Sequence, residues 1–158
     1  MRTVRRLYFY LVAFITLEVV LWGLIGLLRS IFSPGASGGG DALAGSLALI
    51  LVGVPIFVLH WLWAQRVSAV DQEEHISTLR AIFLYGVLLA TLIPVVQSVL
   101  AFLDRSFISL AGLPTSRAVF GGGQSWSDNL IAIALNGVAA WYFITVLRRD
   151  WVTLANKD

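Results

Sequence analysis

Four apolar runs, each long enough to cross a lipid bilayer, constrain this chain more than any other feature. The hydrocarbon layer of a membrane is about 30 Å thick, and a helix rising about 1.5 Å per residue crosses it in about 20 residues. The runs cover residues 7–28, 42–64, 81–103 and 130–147. Lipid offers no hydrogen-bond partners to backbone groups, so each run is predicted to be a helix. The predicted fold class is all-α, an integral membrane four-helix bundle.

The composition excludes several other classes of protein. The chain is 58% hydrophobic and 13% charged, which is the reverse of a disordered sequence. It contains no cysteine, which excludes disulfide scaffolds and thiol chemistry. The net charge of +2 comes from basic residues at the ends of the apolar runs rather than from a basic stripe. We therefore expect the lipid bilayer as a partner and no nucleic acid.

The distribution of basic residues predicts the orientation. If the N-terminus is cytoplasmic, the inner segments carry Arg2, Arg5, Arg6, Arg66, Arg80, Arg148, Arg149 and Lys157, whereas the outer loops carry only Arg29, Arg105 and Arg117. Positive charge is enriched on the cytoplasmic side, so both termini are predicted to be cytoplasmic, in a bacterial cytoplasmic (inner) membrane. An aromatic belt is predicted at the inner boundary, formed by Tyr8, Tyr10, Trp61, Trp63 and Trp151.

The two halves of the sequence resemble each other. Glycine triplets at 38–40 and 121–123 precede the second and fourth runs, and at this spacing Arg66 corresponds to Arg149. Both copies begin on the same side, which predicts two tandem parallel helical hairpin repeats, with chance similarity of apolar helices as the alternative. The predicted division is a first transmembrane hairpin at 1–66, a cytoplasmic linker at 67–79, and a second hairpin with a short cytoplasmic tail at 80–158.

Three short elements also resemble a known family. They begin at Arg5 (RRLYFYL), at His60 (HWLWAQR) and at Leu147 (LRRD). The chain is similar to a bacterial domain-of-unknown-function family of small four-span membrane proteins with an R-R-L-Y-x-Y-L opening, an H-W-x-x-A-Q-R hairpin end and an L-R-R-D close. The resemblance implies the paired-hairpin fold and no assigned activity. The chain departs from the family pattern at Phe143, where the second hairpin often repeats the histidine.

Glu18 is the most informative polar residue because it interrupts the first apolar run near its middle. A carboxylate inside a membrane is costly, and by default it marks a functional site. Counting the helical rise from the inner boundary places Asn136 at nearly the same depth, with Thr16 and Thr91 nearby. We therefore predict a midplane polar cluster that joins the two halves. A protonated, hydrogen-bonded carboxyl with a purely structural role is the alternative.

His60 is a candidate cofactor ligand near the inner end of the second run. A histidine in a span can ligate haem or a chlorophyll-type pigment, although hydrogen-bonded packing is its more common role. No second histidine lies at ligand spacing, and no other cofactor is expected. No metal site is expected either, because the acidic inner loop from Asp71 to His75 matches no metal-binding spacing and fits a helix cap.

Three functional hypotheses follow. The favoured one is a non-catalytic accessory subunit that packs against other membrane subunits of a larger complex, respiratory or photosynthetic. Pairs of small residues suit such packing, within the chain or against a partner: Gly86 with Ala90, and Ala44 with Ala48. The second is a permeation unit for protons, ions or solutes that uses Glu18 and Asn136. The third is a haem- or pigment-binding protein. No enzyme is expected, since residues suited to catalysis are nearly absent.

Overall fold

The computed structural model consists of four long helices, and it describes residues 2–33, 39–70, 77–121 and 123–155. The helices are α1 (Arg2–Phe32), α2 (Gly39–Val70), α3 (Thr78–Leu110) and α4 (Trp126–Ala155), with a 3-10 turn at Thr115–Arg117 before α4. The described residues contain no strand, so the all-α prediction is confirmed. All four helices are long and apolar enough to cross a membrane, with mean hydropathies of 2.4, 2.5, 2.2 and 2.0.

Side-chain caps define where α3 and α4 begin. The backbone N–H of Arg80 donates to Ser77 Oγ at 3.3 Å, which makes Ser77 the N-cap of α3. At the start of α4, Ser125 N–H donates to Asp128 Oδ2 at 2.7 Å, and Asp128 N–H donates to Ser125 Oγ at 3.2 Å. This reciprocal pair is a capping box. The cap predicted at Asp71 lies outside the described residues.

Contacts between the helices define an up-down-up-down bundle. Early residues of α1 meet late residues of α2, and α3 and α4 are related in the same way, through Phe9 with Trp63, Gly26 with Ser46, Arg80 with Asp150 and Phe102 with Trp126. The chief packing is α1 on α2 and α3 on α4. We call the end where α1 begins and α4 finishes the terminal end, and the opposite end the loop end.

The core contains a layer of four aromatic side chains, Tyr10, Trp61, Phe83 and Phe143, which we call the aromatic layer. Ring centroids lie 5.1 Å apart for the first and third of these residues, and 5.2 Å apart for the second and fourth. Trp61 Nε1 donates to the Tyr142 hydroxyl at 2.8 Å. Tyr10 and Trp61 are only 4% and 5% exposed. The predicted belt is therefore wrong for these two residues, because they point into the bundle.

The exposed aromatic residues near the terminal end are Tyr8, Trp63 and Trp151, which are at least half exposed. These three side chains suit a membrane boundary, where an amphipathic ring contacts both apolar and polar surroundings. At the terminal end, one set of aromatic residues thus packs in the core, and another set lies on the outer surface of the bundle.

Buried positions recur between the two halves of the chain. Equivalent buried pairs are Trp61 with Phe143, Ala64 with Val146, Ser68 with Asp150, Tyr10 with Leu84, and Ala13 with Val87. In the three pairs that join α2 to α4, the second member comes one residue earlier than the spacing of the glycine triplets would place it. In the buried pattern His60 therefore corresponds to Tyr142, not to Phe143, and both His60 and Tyr142 lie at the edge of the core.

Glycines let α1 and α2 approach each other closely. A Cβ at Gly26 would lie 2.4 Å from Ser46 Oγ, and one at Gly53 would lie 2.9 Å from a methyl carbon of Val20. Small residues at a helix interface allow this kind of approach. Of the two small-residue pairs predicted for packing within the chain or against a partner, Ala44 and Ala48 are exposed, and Gly86 and Ala90 are half-buried. Gly86 lies beside the Phe14 ring.

Candidate functional site: a polar crevice in the loop half

A crevice of about 540 Å³ lies between α1 and α3 in the loop half of the bundle. Residues of α4 form its floor, and the loop that precedes α4 forms its roof. Its polar lining includes Glu18, Gln97, Ser98 and Asn136. The crevice forms because α1 and α3 lie side by side near the terminal end, where the Phe14 ring is beside Gly86, and leave a space between them further along.

Glu18 and Asn136 are brought together by this crevice. Glu18 is half-buried, and its Oε1 atom is buried without a hydrogen-bond partner in the described part of the chain. Asn136 is only 3% exposed, and its Nδ2 donates to the Ala132 carbonyl at 3.0 Å. A carboxyl oxygen without a hydrogen-bond partner in an apolar setting is costly.

The two threonines of the predicted cluster have a different role. Thr16 Oγ1 donates to the Val12 carbonyl at 2.7 Å, and Thr91 Oγ1 donates to the Val87 carbonyl at 2.9 Å. Each hydroxyl is thus hydrogen-bonded within its own helix. Neither threonine is among the described residues that line the crevice. The geometry therefore groups Glu18 with Asn136 and leaves the threonines apart.

The roof of the crevice is held by charged side chains at the loop end. Asp104 Oδ2 accepts hydrogen bonds from the backbone N–H groups of Val119 and Phe120, at 2.8 and 3.1 Å. Arg105 donates to the carbonyl of Gln124. Val119, Phe120 and Gln124 all line the crevice, so these two residues at the end of α3 fix the shape of its roof.

A network of polar groups ties α1 to the start of α4 beside the roof. Arg29 lies 3.6 Å from Asp128 in an ion pair and donates to the Asp128 carbonyl at 3.4 Å. Ser33 Oγ lies 2.8 Å from Ser127 Oγ. Asn129 is 1% exposed, and neither polar atom of its side-chain amide has a partner among the described residues. The charge of Arg29, which also lines the crevice, is therefore balanced by Asp128.

A second buried polar group, at the terminal end, was missed by the sequence analysis. Arg80 Nε donates to Asp150 Oδ2 at 2.7 Å, and Arg80 Nη2 donates to Asp150 Oδ1 at 3.2 Å and to Gln65 Oε1 at 3.2 Å. The Arg80 guanidinium also interacts with the Tyr10 hydroxyl. One residue from each helix thus meets at this point, which we call the four-helix junction.

A signal for the junction was present in the sequence. Tyr10, Gln65 and Asp150 each belong to one of the three short motifs on which the family resemblance rests. Arg80 itself enters the prediction of orientation as one of the positive charges on the inner side. Both carboxylate oxygens of Asp150 accept hydrogen bonds from Arg80, so the junction joins the start of α3 to the end of α4.

His60 lies on a different face from the crevice. Its Nδ1 donates to the Ile56 carbonyl at 2.7 Å, and its ring packs 5.6 Å from that of Phe9. It borders a groove of about 930 Å³, mostly apolar, that also includes Trp63 and Arg66. The described residues contain no second histidine. A hydrogen bond of this kind uses one ring nitrogen to orient the histidine and leaves the other ring nitrogen available to a ligand.

Together, the fold and the crevice define a class: all-α proteins whose four helices are apolar enough to cross a membrane and enclose a polar site between three of them. The chain belongs to the family described as Domain of unknown function (DUF5671), which matches residues 6–143. The match includes the crevice residues and most of the junction, and it ends before Asp150. No curated protein and no solved structure matches the chain.

Proposed function

We propose that the protein is a four-span integral membrane protein that binds a small solute or ion in the crevice and passes it across the membrane. Both termini would lie in the cytoplasm of a bacterial cell, since Arg5, Arg6, Arg66, Arg148 and Arg149 all belong to the terminal end. The crevice would then face the outside. This orientation places its deepest polar groups near the middle of the membrane.

One observation carries the proposal: Glu18 lies midway along α1 with a buried oxygen that has no described partner. A purely structural carboxyl would be expected to satisfy that oxygen within the bundle, as Thr16 and Thr91 satisfy their hydroxyls. Ionisable groups in spans that face a cavity mark substrate and ion pathways. The crevice supplies such a cavity at the level of Glu18.

The aromatic layer supports a gated pathway rather than an open pore. Tyr10, Trp61, Phe83 and Phe143 fill the bundle between the crevice and the terminal end, and each is at most 5% exposed. The other residues of the four-helix junction, Gln65, Arg80 and Asp150, lie beyond them. Passage would require these rings to separate, so the aromatic layer would close the pathway between the crevice and the terminal end. Hydrophobic constrictions of this kind gate other permeation pathways.

The pairing of buried positions supports the proposal that the chain is a duplicated hairpin. Glu18 belongs to the first half and Asn136 to the second, so the crevice would lie at the interface of two parallel repeats. Binding sites between repeats are typical of small transport folds. The equivalence of Trp61 with Phe143 would make the aromatic layer a product of both repeats as well.

Flux through proteoliposomes tests the proposed function. Purified protein would be reconstituted, and the movement of protons and of small cations would be followed with dyes trapped inside the vesicles. We expect Glu18→Gln to abolish flux, since the substitution keeps the size of the side chain and removes the charge. Asp41→Asn, an exposed carboxyl at the start of α2, serves as the matched control and should retain flux. Wild-type protein without measurable flux would contradict the proposal.

A second candidate function, an accessory subunit of a larger membrane complex, is favoured by the low burial of α2 within the bundle. Only 11% of the most apolar stretch of α2 is buried, compared with 28–33% of the corresponding stretches in the other three helices. Leu51, Leu59 and Leu62 are all at least half exposed on this helix. A partner subunit would cover this face, and mild-detergent purification would then recover the partner. A chain that always purifies alone would contradict this second proposal.

A further inference from the structure

We propose that the ligand of the crevice is a lipophilic organic cation that enters from the side, between α1 and α3. This inference rests on the proposed binding role of the crevice and names the class of molecule that the crevice takes. The route is indicated by the mouth, where Trp22 is 70% exposed, Leu100 is 41% exposed and Gln97 is exposed. These positions lie in the apolar part of α1 and α3.

The charge of the ligand follows from the charges that line the crevice. The described lining contains two ionisable side chains, Glu18 and Arg29. Arg29 is paired with Asp128, whereas no described cation contacts Glu18. The crevice therefore has an uncompensated acceptor at its deep end. In surroundings of low polarity, a single positive charge on the ligand is the natural complement to this carboxyl.

The remaining lining favours an organic cation over an inorganic one. Metal cations such as Ca²⁺ or Mg²⁺ need six or more oxygen ligands, and the deep end offers few beyond Glu18 and Asn136. Aromatic rings are present instead: Trp22 lies one helical turn from Glu18, and Phe120 is in the roof. Ring faces attract diffuse cations. A crevice of about 540 Å³ is also the size of sites that hold drug-sized molecules.

Tetraphenylphosphonium is a suitable probe, because it is a monovalent cation with four apolar rings. Its binding to the purified full-length protein would be measured by equilibrium dialysis in detergent, with protein-free micelles as the blank. Tetraphenylborate, which has similar size and opposite charge, distinguishes recognition of charge from apolar partitioning. We expect the cation to bind at one site and the anion not to bind above the blank.

Two substitutions with matched controls locate the site. Glu18→Gln should weaken cation binding about tenfold or more, since the charge pair in a low-dielectric site is lost. Asp41→Asn should leave binding unchanged. Trp22→Ala should weaken binding about fivefold through the lost ring face. Trp141→Ala is its control, because Trp141 is equally exposed at 70% and lies outside the crevice lining.

The outcomes separate this inference from the proposed function. Equal binding by wild type and Glu18→Gln, or equal binding of cation and anion, would overturn the ligand class. If the cation fails to bind while Glu18-dependent flux of protons or inorganic ions persists, the ligand class is wrong and the proposed function stands. If the cation binds in a Glu18-dependent manner but neither it nor protons or small cations cross the membrane of proteoliposomes, the ligand class stands and permeation is wrong.

Discussion

Arg80 and Asp150 form a two-point ion pair that is almost completely buried, with 2.7 Å between Arg80 Nε and Asp150 Oδ2. The two residues are 2% and 7% exposed. The pair joins the start of α3 to the end of α4, and Gln65 brings α2 to the same guanidinium. A buried pair is costly to desolvate, and its best-attested benefit is that it selects one arrangement of the elements it joins.

Breaking this pair should strongly destabilise the fold. Asp150→Asn leaves the Arg80 charge buried without its counterion, so we expect a loss of about 3–5 kcal/mol in the free energy of unfolding. Unfolding of the purified protein in detergent, followed by circular dichroism, measures the change. Arg149→Gln is the control, since Arg149 is the exposed neighbour on the same helix, and it should change stability by less than about 0.5 kcal/mol. Equal effects of the two variants would contradict the role of the pair.

The hydrogen bond between Trp61 and Tyr142 should contribute a smaller amount. Tyr142→Phe removes the acceptor of the buried indole N–H at 2.8 Å, and we expect it to cost about 1 kcal/mol. Tyr85→Phe is the comparison, because Tyr85 is similarly exposed, at 45% against 44%. The same unfolding measurement applies. A loss as large in Tyr85→Phe as in Tyr142→Phe would show that the hydroxyl of Tyr142 has no special contribution.

Close packing of α1 and α2 predicts opposite effects for two glycines of α2. Gly53→Ala would place a Cβ 2.9 Å from Val20, and we expect it to destabilise the protein by about 1–3 kcal/mol. Gly45→Ala meets no atom within 4 Å, so it should stabilise the helix by about 0.5–1 kcal/mol. Thermal unfolding of both variants measures these effects. A shift of the unfolding temperature in the same direction in both variants would contradict the described interface between α1 and α2.

The loop that forms the roof of the crevice should become more dynamic when the Asp104 carboxylate is removed. Asp104→Ala removes the acceptor of two backbone hydrogen bonds, from Val119 and Phe120. We expect faster amide hydrogen exchange at these two positions, with α3 itself unchanged. Mass spectrometry of peptides from 111–125 measures the effect. Unchanged exchange would show that the roof is held by other contacts.

Much of the fold could be predicted from the sequence, because lipid leaves a spanning chain few options. The apolar runs gave four helices, and the structure extends each run beyond its predicted ends, as in α2, which covers Gly39–Val70. Hydropathy could not show which face of a run points inward, since every face is apolar. This is why Trp61 was predicted for the membrane boundary and lies in the core instead.

The candidate site was predicted only in part for a related reason. The cost of a carboxyl in a span singled out Glu18, and counting the helical rise paired it with Asn136. Depth alone could not separate Asn136 from Thr91, because a threonine can satisfy its hydroxyl on its own helix. The four-helix junction could not be predicted, because a basic residue at the end of an apolar run is equally consistent with a role in setting the orientation of the span. Only the packing of four helices distinguishes these roles.

A crevice that is accessible between α1 and α3 in the loop half, and closed toward the terminal end below Glu18, is the central claim. The chain has no native cysteine, so single cysteines can report access without background. Ala132 lines the crevice, whereas Ala140 is equally buried on the same helix and lies outside the described lining. In oriented membrane vesicles, a membrane-impermeant thiol reagent should label Ala132→Cys from the loop side only, and Ala140→Cys from neither side. Failure to label Ala132→Cys from the loop side, or equal labelling of both variants, would contradict the account.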